Sequence, residues 1–321
     1  MRAPEFWARG GGVARLLAPL GWAYGVGAGL RQTFGRPWQA PLAVIGIGNL
    51  VAGGAGKTPV ALAIAQRLIA RGRIVHILGR GYGGRFAGPL AVDPAHHGAA
   101  DVGDEALLRA KAAPTWISRD RVAGAKAVAA VRADALILDD GHQDPSLHKD
   151  VALVVVDGGF GFGNRRTMPA GPLREPIAAG LVRATAIVLV GTDTVGVTPT
   201  LAAAGKPILR ARLVPEDTRW AGRSVVAFAG IGRPEKFFAT LTEAGARIVE
   251  SRAFADHHPY AVAEIETLKR SAQAANASLV TTAKDMVRVP AAARVGIEVL
   301  TVRLEWEDQG ALDRILDPVA R

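Results

Sequence analysis

From Leu42 onward the chain alternates short, unbroken apolar runs with stretches whose apolar positions recur every three or four residues. The runs predict strands at Leu42–Ile47, Ile74–Leu78, Thr115–Ser118, Ala135–Leu138, Val151–Val156, Ala186–Val190 and Pro207–Leu213. Helical spacing lies between several of them, as in Thr58–Ala70 and Arg119–Val131. A strand apolar at every position is buried on both faces, so such alternation predicts an α/β fold whose mainly parallel sheet is covered on each side by helices. A second α/β series starts near Arg223, with strands expected at Val225–Ala229, Arg247–Glu250, Ser278–Thr281 and Glu298–Val302. The polar and turn residues of "EDTRWAGR" divide the two series, giving a larger domain at residues 35–219 and a smaller α/β domain at 220–321. With 321 residues, each can bury its own core.

Residues 1–34 follow a different pattern. Arg2, Arg9, Arg15 and Arg31 surround the uncharged run Leu16–Leu30, "LLAPLGWAYGVGAGL". That run is shorter than the roughly 20 apolar residues an untilted spanning helix needs, and it is rich in glycine. It suits a membrane-associated helix, with Leu16, Leu17, Leu20, Trp22 and Tyr24 meeting the interface and the arginines meeting anionic headgroups. A helix packed on the protein's own surface is the alternative. Pro19 marks either a kink or a first turn.

A formal charge of +10 suggests an acidic partner: nucleic acid, an anionic membrane surface or a phosphorylated substrate. No helix-turn-helix, zinc or aromatic-stacking signature supports nucleic acid. The absence of cysteine excludes disulfides and thiolate metal sites.

Chemistry enters with "VIGIGNLVAGGAGKTPVALAIAQRL", Val44–Leu68. A strand, a glycine-rich turn and a helix opening with Lys-Thr form a P-loop-type phosphate site, in which converging backbone N–H groups face an anion at a helix N-terminus. The usual pattern has a glycine where this chain has Val51. Gly53, Gly54, Ala55 and Gly56 would form the loop, Lys57 would neutralise nucleotide phosphate, and Thr58 would hold magnesium. A carboxylate at the end of a neighbouring strand should complete such a site, and Ala135–Leu138 runs into Asp139 and Asp140. The lysine that marks partitioning-type ATPases is replaced by Ala52, and the N-K-x-D guanine reader is absent from "SLVTTAKD". A P-loop NTPase acting as a membrane-linked switch remains a competing reading.

The motifs "GNLVAGGAGKTP", "GRGYGG", "VGDEALL", "LDDGHQD", "PAGPLREP", "AGIGRPEKFF", "FADHHPY" and "TTAKD", in that order, resemble the tetraacyldisaccharide 4'-kinase family over about residues 40–290. The resemblance implies ATP and magnesium as cofactors. It implies transfer of the γ-phosphate to the 4'-hydroxyl of an acylated glucosamine disaccharide 1-phosphate, at the cytoplasmic face of the inner membrane. Nucleic acid and protein partners are not implied. The loop's missing first glycine belongs to the family pattern. Carried over by position, Lys57 and Thr58 contact phosphate and magnesium, and Asp139, Asp140 and Glu175 surround the metal. Arg174 and Gln143 serve the substrate, and Asp104 with His257 forms the catalytic dyad. Read from the residues alone, Arg80, Arg119 and Arg121 are either anionic-substrate contacts or solvated surface charge. His142, Asp144 and Gly79 depart from the family's usual Phe, His and Ser.

Overall fold

In the computed structural model, residues 4–320 are described; residues 1–3, with Arg2, and residue 321 lie outside the described residues. Two compact units emerge, one formed by residues 213–303 and the other by residues up to 212 together with 304 onward.

The larger unit holds a sheet built from β1 (Ala43–Gly48), β2 (Val75–Gly79), β3 (Leu90–Ala91), β4 (Thr115–Ile117), β5 (Ala135–Asp139), β6 (Val151–Asp157), β7 (Ala186–Val190) and β8 (Ile208–Pro215). In the smaller unit β9 (Ser224–Ala229), β10 (Arg247–Ala253), β11 (Ser278–Thr282) and β12 (Ile297–Leu300) form a parallel sheet in the order β10-β9-β11-β12. The last strand, β13 (Val302–Trp306), joins the large sheet, whose order is β13-β8-β7-β6-β1-β5-β2-β4-β3. Short β3 runs antiparallel to β4. Strand β1 lies between β5 and β6, parallel to both, so the chain crosses over β1 between them. A ligand site is expected where such connections diverge, beyond the strands' carboxyl ends.

Every residue of β5, β6 and β7 is buried, as their apolar sequences require. On the helix Lys57–Ile69, Val60, Ala61, Ile64, Ala65 and Leu68 are buried, a stripe at helical spacing. Burying its three large aliphatic side chains contributes about 1.5–3 kcal/mol each, which anchors the loop at the helix's N-terminal end.

Two boundaries differ from the sequence reading. The smaller unit begins at 213 rather than 220, and the C-terminal segment returns to the larger unit instead of staying with the smaller one. The tail helix Gln309–Leu316 buries Leu312 and Leu316, and its Asp313 pairs with both Arg67 and Arg71 at 2.5 Å. The predicted strand Glu298–Val302 accordingly divides at Thr301 into β12 and β13.

The N-terminal segment forms helices Phe6–Arg9, Gly12–Leu16 and Ala18–Thr33, with Pro19 in the first turn of the last rather than at a kink. Its glycine face packs on the protein: a Cβ at Gly21 would lie 2.7 Å from the Thr167 carbonyl oxygen, and Gly25 faces Thr167 and Pro176. Leu16, Leu20, Trp22, Leu30 and Phe34 are all more than half exposed. Among the described residues no helix is long and apolar enough to cross a membrane.

Candidate active site

The site is assembled at the carboxyl ends of β1 and β5. Ile47 and Asp139 are register partners, so the chain enters the glycine loop level with the carboxylate that closes the neighbouring strand. Gly56 caps the following helix with φ +88°, a left-handed conformation that favours glycine, and Lys57 is the first helical residue. Gly53 and Gly54 are exposed while Ala55 is buried, which leaves the loop backbone open on one side.

Lys57 Nζ donates to Asn49 Oδ1 at 3.1 Å and lies 3.6 Å from Asp140 Oδ1. The Thr58 hydroxyl donates to Asp139 Oδ2 at 3.4 Å. Asn49 is fully buried and also donates to the Gly53 carbonyl, fastening the two ends of the loop. Asp140 has φ +57°, a conformation aspartate tolerates better than most residues, and Arg174 Nη1 donates to both of its oxygens at 2.9 and 3.1 Å. Burial opposes ionisation of Asp140, but the charges of Lys57 and Arg174 outweigh it and hold the carboxyl down at about 2.

Arg174 is delivered by a segment that follows the start of the loop. Val51 bridges Leu173, the Ala52 N–H donates to the Pro172 carbonyl, and the Arg174 N–H donates to the Leu50 carbonyl. Next to it, Glu175 accepts from Gln143 Nε2 at 2.9 Å and from Arg183 Nη2 at 2.6 Å; Gln143 also donates to the Asn49 carbonyl. Of the four residues expected around the metal, the structure thus brings Thr58 and Asp139 together. Asp140 and Glu175 are engaged by basic and amide side chains beside them.

Among the described residues, no three His, Cys, Asp or Glu side chains converge as a self-sufficient metal site. The donors suit a cation shared with nucleotide phosphates: Asp139 Oδ1 is buried without a hydrogen-bond partner, next to the Thr58 hydroxyl. These hard oxygen donors fit magnesium.

The departures from the family pattern have physical accounts. His142 is buried against Gly48, and its Nε2 lies 2.9 Å from the Gly180 carbonyl. Burial and the nearby Arg183 charge push it down to about 4, so at neutral pH it is an uncharged ring in the place of the family's aromatic residue. Asp144 accepts from Ser146 and lies 3.5 Å from Arg80, whose side chain is half exposed. Arg121, which could have been a substrate contact, is 1% exposed and donates to the carbonyls of Leu78 and Asp139, bracing the ends of β2 and β5. Arg119 is exposed.

Asp104 is buried at the start of the helix Asp104–Ala110, after Gly103, and its Oδ1 accepts the Glu105 N–H at 2.9 Å. In the smaller unit His257 has φ +58°; its N–H donates to the Gly230 carbonyl, and Lys284 Nζ stands 3.5 Å from its Nε2. Asp285 was unassigned by the motif that contains it. It is fully buried and accepts from the Gly230 N–H, Tyr260, Thr282 and Arg288, so it braces the loops on either side of His257. Burial and Asp285 together push the Tyr260 hydroxyl well above its usual range, keeping it a donor.

A strand, glycine loop and Lys-Thr helix, with a carboxylate closing the adjacent parallel strand, define a P-loop nucleotide site on an α/β scaffold. The chain belongs to the family described as tetraacyldisaccharide-1-P 4'-kinase, whose model matches residues 13–321. It is 52% identical to the tetraacyldisaccharide 4'-kinase of Rhodospirillum rubrum, covering 99% of this chain and 97% of that one. It is also 52% identical to that of Paramagnetospirillum magneticum, covering 99% of each. A crystal structure of LpxK from Aquifex aeolicus in complex with ATP superposes with a TM-score of 0.78 at 26% identity, covering 97% of this chain and all of that one.

Proposed function

We propose that the chain transfers the γ-phosphoryl group of ATP to the 4'-hydroxyl of a tetraacylated glucosamine disaccharide 1-phosphate, a step of lipid A biosynthesis. The observation that carries this is the Thr58–Asp139 pair beside Lys57, in a chain of this family. Phosphoryl transfer depends chiefly on placement and charge neutralisation. The loop N–H groups and Lys57 hold the β- and γ-phosphates. Thr58 and Asp139 would hold magnesium, which when bound neutralises charge growing on the phosphate oxygens. Arg174, already oriented by Asp140, receives anionic substrate oxygens, with Gln143 held beside it by Glu175 and Arg80 held by Asp144. Asp104 takes the proton of the acceptor hydroxyl, and His257 is assigned as the second catalytic residue.

The acceptor is a lipid, and the exposed Leu16, Leu20, Trp22 and Leu30 supply the apolar surface to meet it at the cytoplasmic face of the inner membrane. The face of the helix Ala18–Thr33 that carries Gly21 and Gly25 stays packed on the protein, so this reading is peripheral attachment. Incubation with γ-labelled ATP, magnesium and the acylated disaccharide 1-phosphate tests the proposal: label should enter the lipid. Release of inorganic phosphate with no labelled lipid would instead support the switch reading.

A further inference from the structure

Arg109 lies on the helix that begins with Asp104, yet only 3% of it is exposed. A buried guanidinium is costly unless paired. Its Nη1 bonds Asp139 Oδ2, the oxygen that also accepts the Thr58 hydroxyl, and Glu105 lies 3.8 Å away on the same helix. The far side of the carboxylate, Oδ1, has no protein partner.

The room for this arginine comes from β2. Leu78 and Leu138 are register partners, so Gly79 and Asp139 follow them on neighbouring strands. A Cβ at Gly79 would fall inside the contact envelope of Arg109 Nη2, so a side chain there must move the guanidinium. Gly79 and Arg109 therefore form one device: the bare strand end admits a buried arginine from the Asp104 helix.

We propose that Arg109 is a positioning residue for phosphoryl transfer: it fixes Asp139 through Oδ2, leaves Oδ1 for the nucleotide-bound cation, and ties the Asp104 helix to the cation site. The proposal rests on the reading above of Asp139 as a cation ligand and Asp104 as the base. A fixed positive charge beside a carboxylate weakens its attraction for a divalent cation while defining its geometry. Removing Arg109 should therefore move two measurements in opposite senses, with tighter cation binding and slower transfer. An arginine that merely held the fold together would give no tightening.

The test uses the full chain. One readout is the thermal unfolding midpoint at saturating ATP as magnesium is titrated from a chelated start, and the other is transfer at saturating ATP and magnesium. In Arg109→Leu the half-effective magnesium concentration should fall about threefold or more, and transfer should fall about tenfold or more. Arg109→Lys, which keeps the charge but loses the planar fork, should keep the wild-type magnesium dependence with intermediate transfer. Gly79→Ser should shift both readouts in the same senses as Arg109→Leu. An unchanged or weakened magnesium response in folded Arg109→Leu overturns the proposal. Should that variant fail to fold, Gly79→Ser decides by the same criterion. Thr58→Ala separates the two levels. If it leaves magnesium response and transfer intact, the reading of the site itself fails. If it abolishes the magnesium response while Gly79→Ser and Arg109→Leu change nothing, only the role of Arg109 fails.

Discussion

Replacing Lys57 with alanine should separate catalysis from folding. The ammonium lies 3.1 Å from Asn49 Oδ1 and 3.6 Å from Asp140 Oδ1, with 15% of its side chain exposed. At 3.6 Å an effective dielectric of about 20–80 gives roughly 1–5 kcal/mol of attraction. Desolvation of both groups takes most of that back, and Asp140 keeps Arg174, so the net folding loss should be about 1 kcal/mol or less. The transferring phosphoryl group has no such substitute for the lost charge. Removing one preorganised charge-stabilising donor typically costs about 10²–10³ in turnover, or about 2.7–4 kcal/mol. Lys57→Ala should therefore unfold close to the wild-type denaturant midpoint while transfer, measured with labelled ATP and lipid acceptor, falls at least about a hundredfold. Near-normal transfer in a folded variant would remove the loop from the mechanism. An activity loss fully matched by unfolding would make Lys57 a scaffold residue.

The carboxyl of Asp140 is held at about 2 in the folded protein, below its ordinary value, so its stabilising contribution is complete above about pH 4 and fades as pH falls toward 2. With 35% of the side chain exposed, solvent screening limits this to about 1 kcal/mol, and Asp140→Asn should lose correspondingly less stability than wild type between pH 5 and pH 3 in urea unfolding; an identical acid loss would refute it. Asp104→Ala and His257→Ala should each slow transfer roughly 10²–10⁴-fold with little change in ATP affinity. Their double variant should lose far less than the product, and multiplicative losses would rule out a shared role. Leu20→Ser with Trp22→Ser should reduce sedimentation with anionic vesicles about tenfold or more without shifting the melting point; undiminished sedimentation would place attachment elsewhere.

Local patterns in the sequence carry the loop, the ends of β1 and β5, and the parallel character of both sheets. Asp139 could be read because a strand of apolar residues ends on it. Asn49, Arg109 and Arg121 could not, because their roles come from partners brought close by strand order rather than by chain position. Arg121, for example, bonds the Leu78 carbonyl 43 residues away. The two residues of β3 are too few to show a period, and the return of the tail depends on Asp313 meeting Arg67 across 246 positions. Near Thr301 the apolar run continues across the change of sheet, so periodicity alone marks no division there. The 4'-hydroxyl specificity was legible only through family resemblance, since nothing in the loop chemistry distinguishes one phosphoryl acceptor from another.

The central claim is the position to which the phosphoryl group goes, and it is tested by the structure of the product. After incubation of the full chain with ATP, magnesium and the acylated disaccharide 1-phosphate, phosphorus–proton correlation spectroscopy of the extracted lipid should show a second phosphorus coupled to the 4' proton, formed in step with ADP. A lipid that keeps only its 1-phosphate while ATP is hydrolysed, or one phosphorylated at another hydroxyl, would contradict the account.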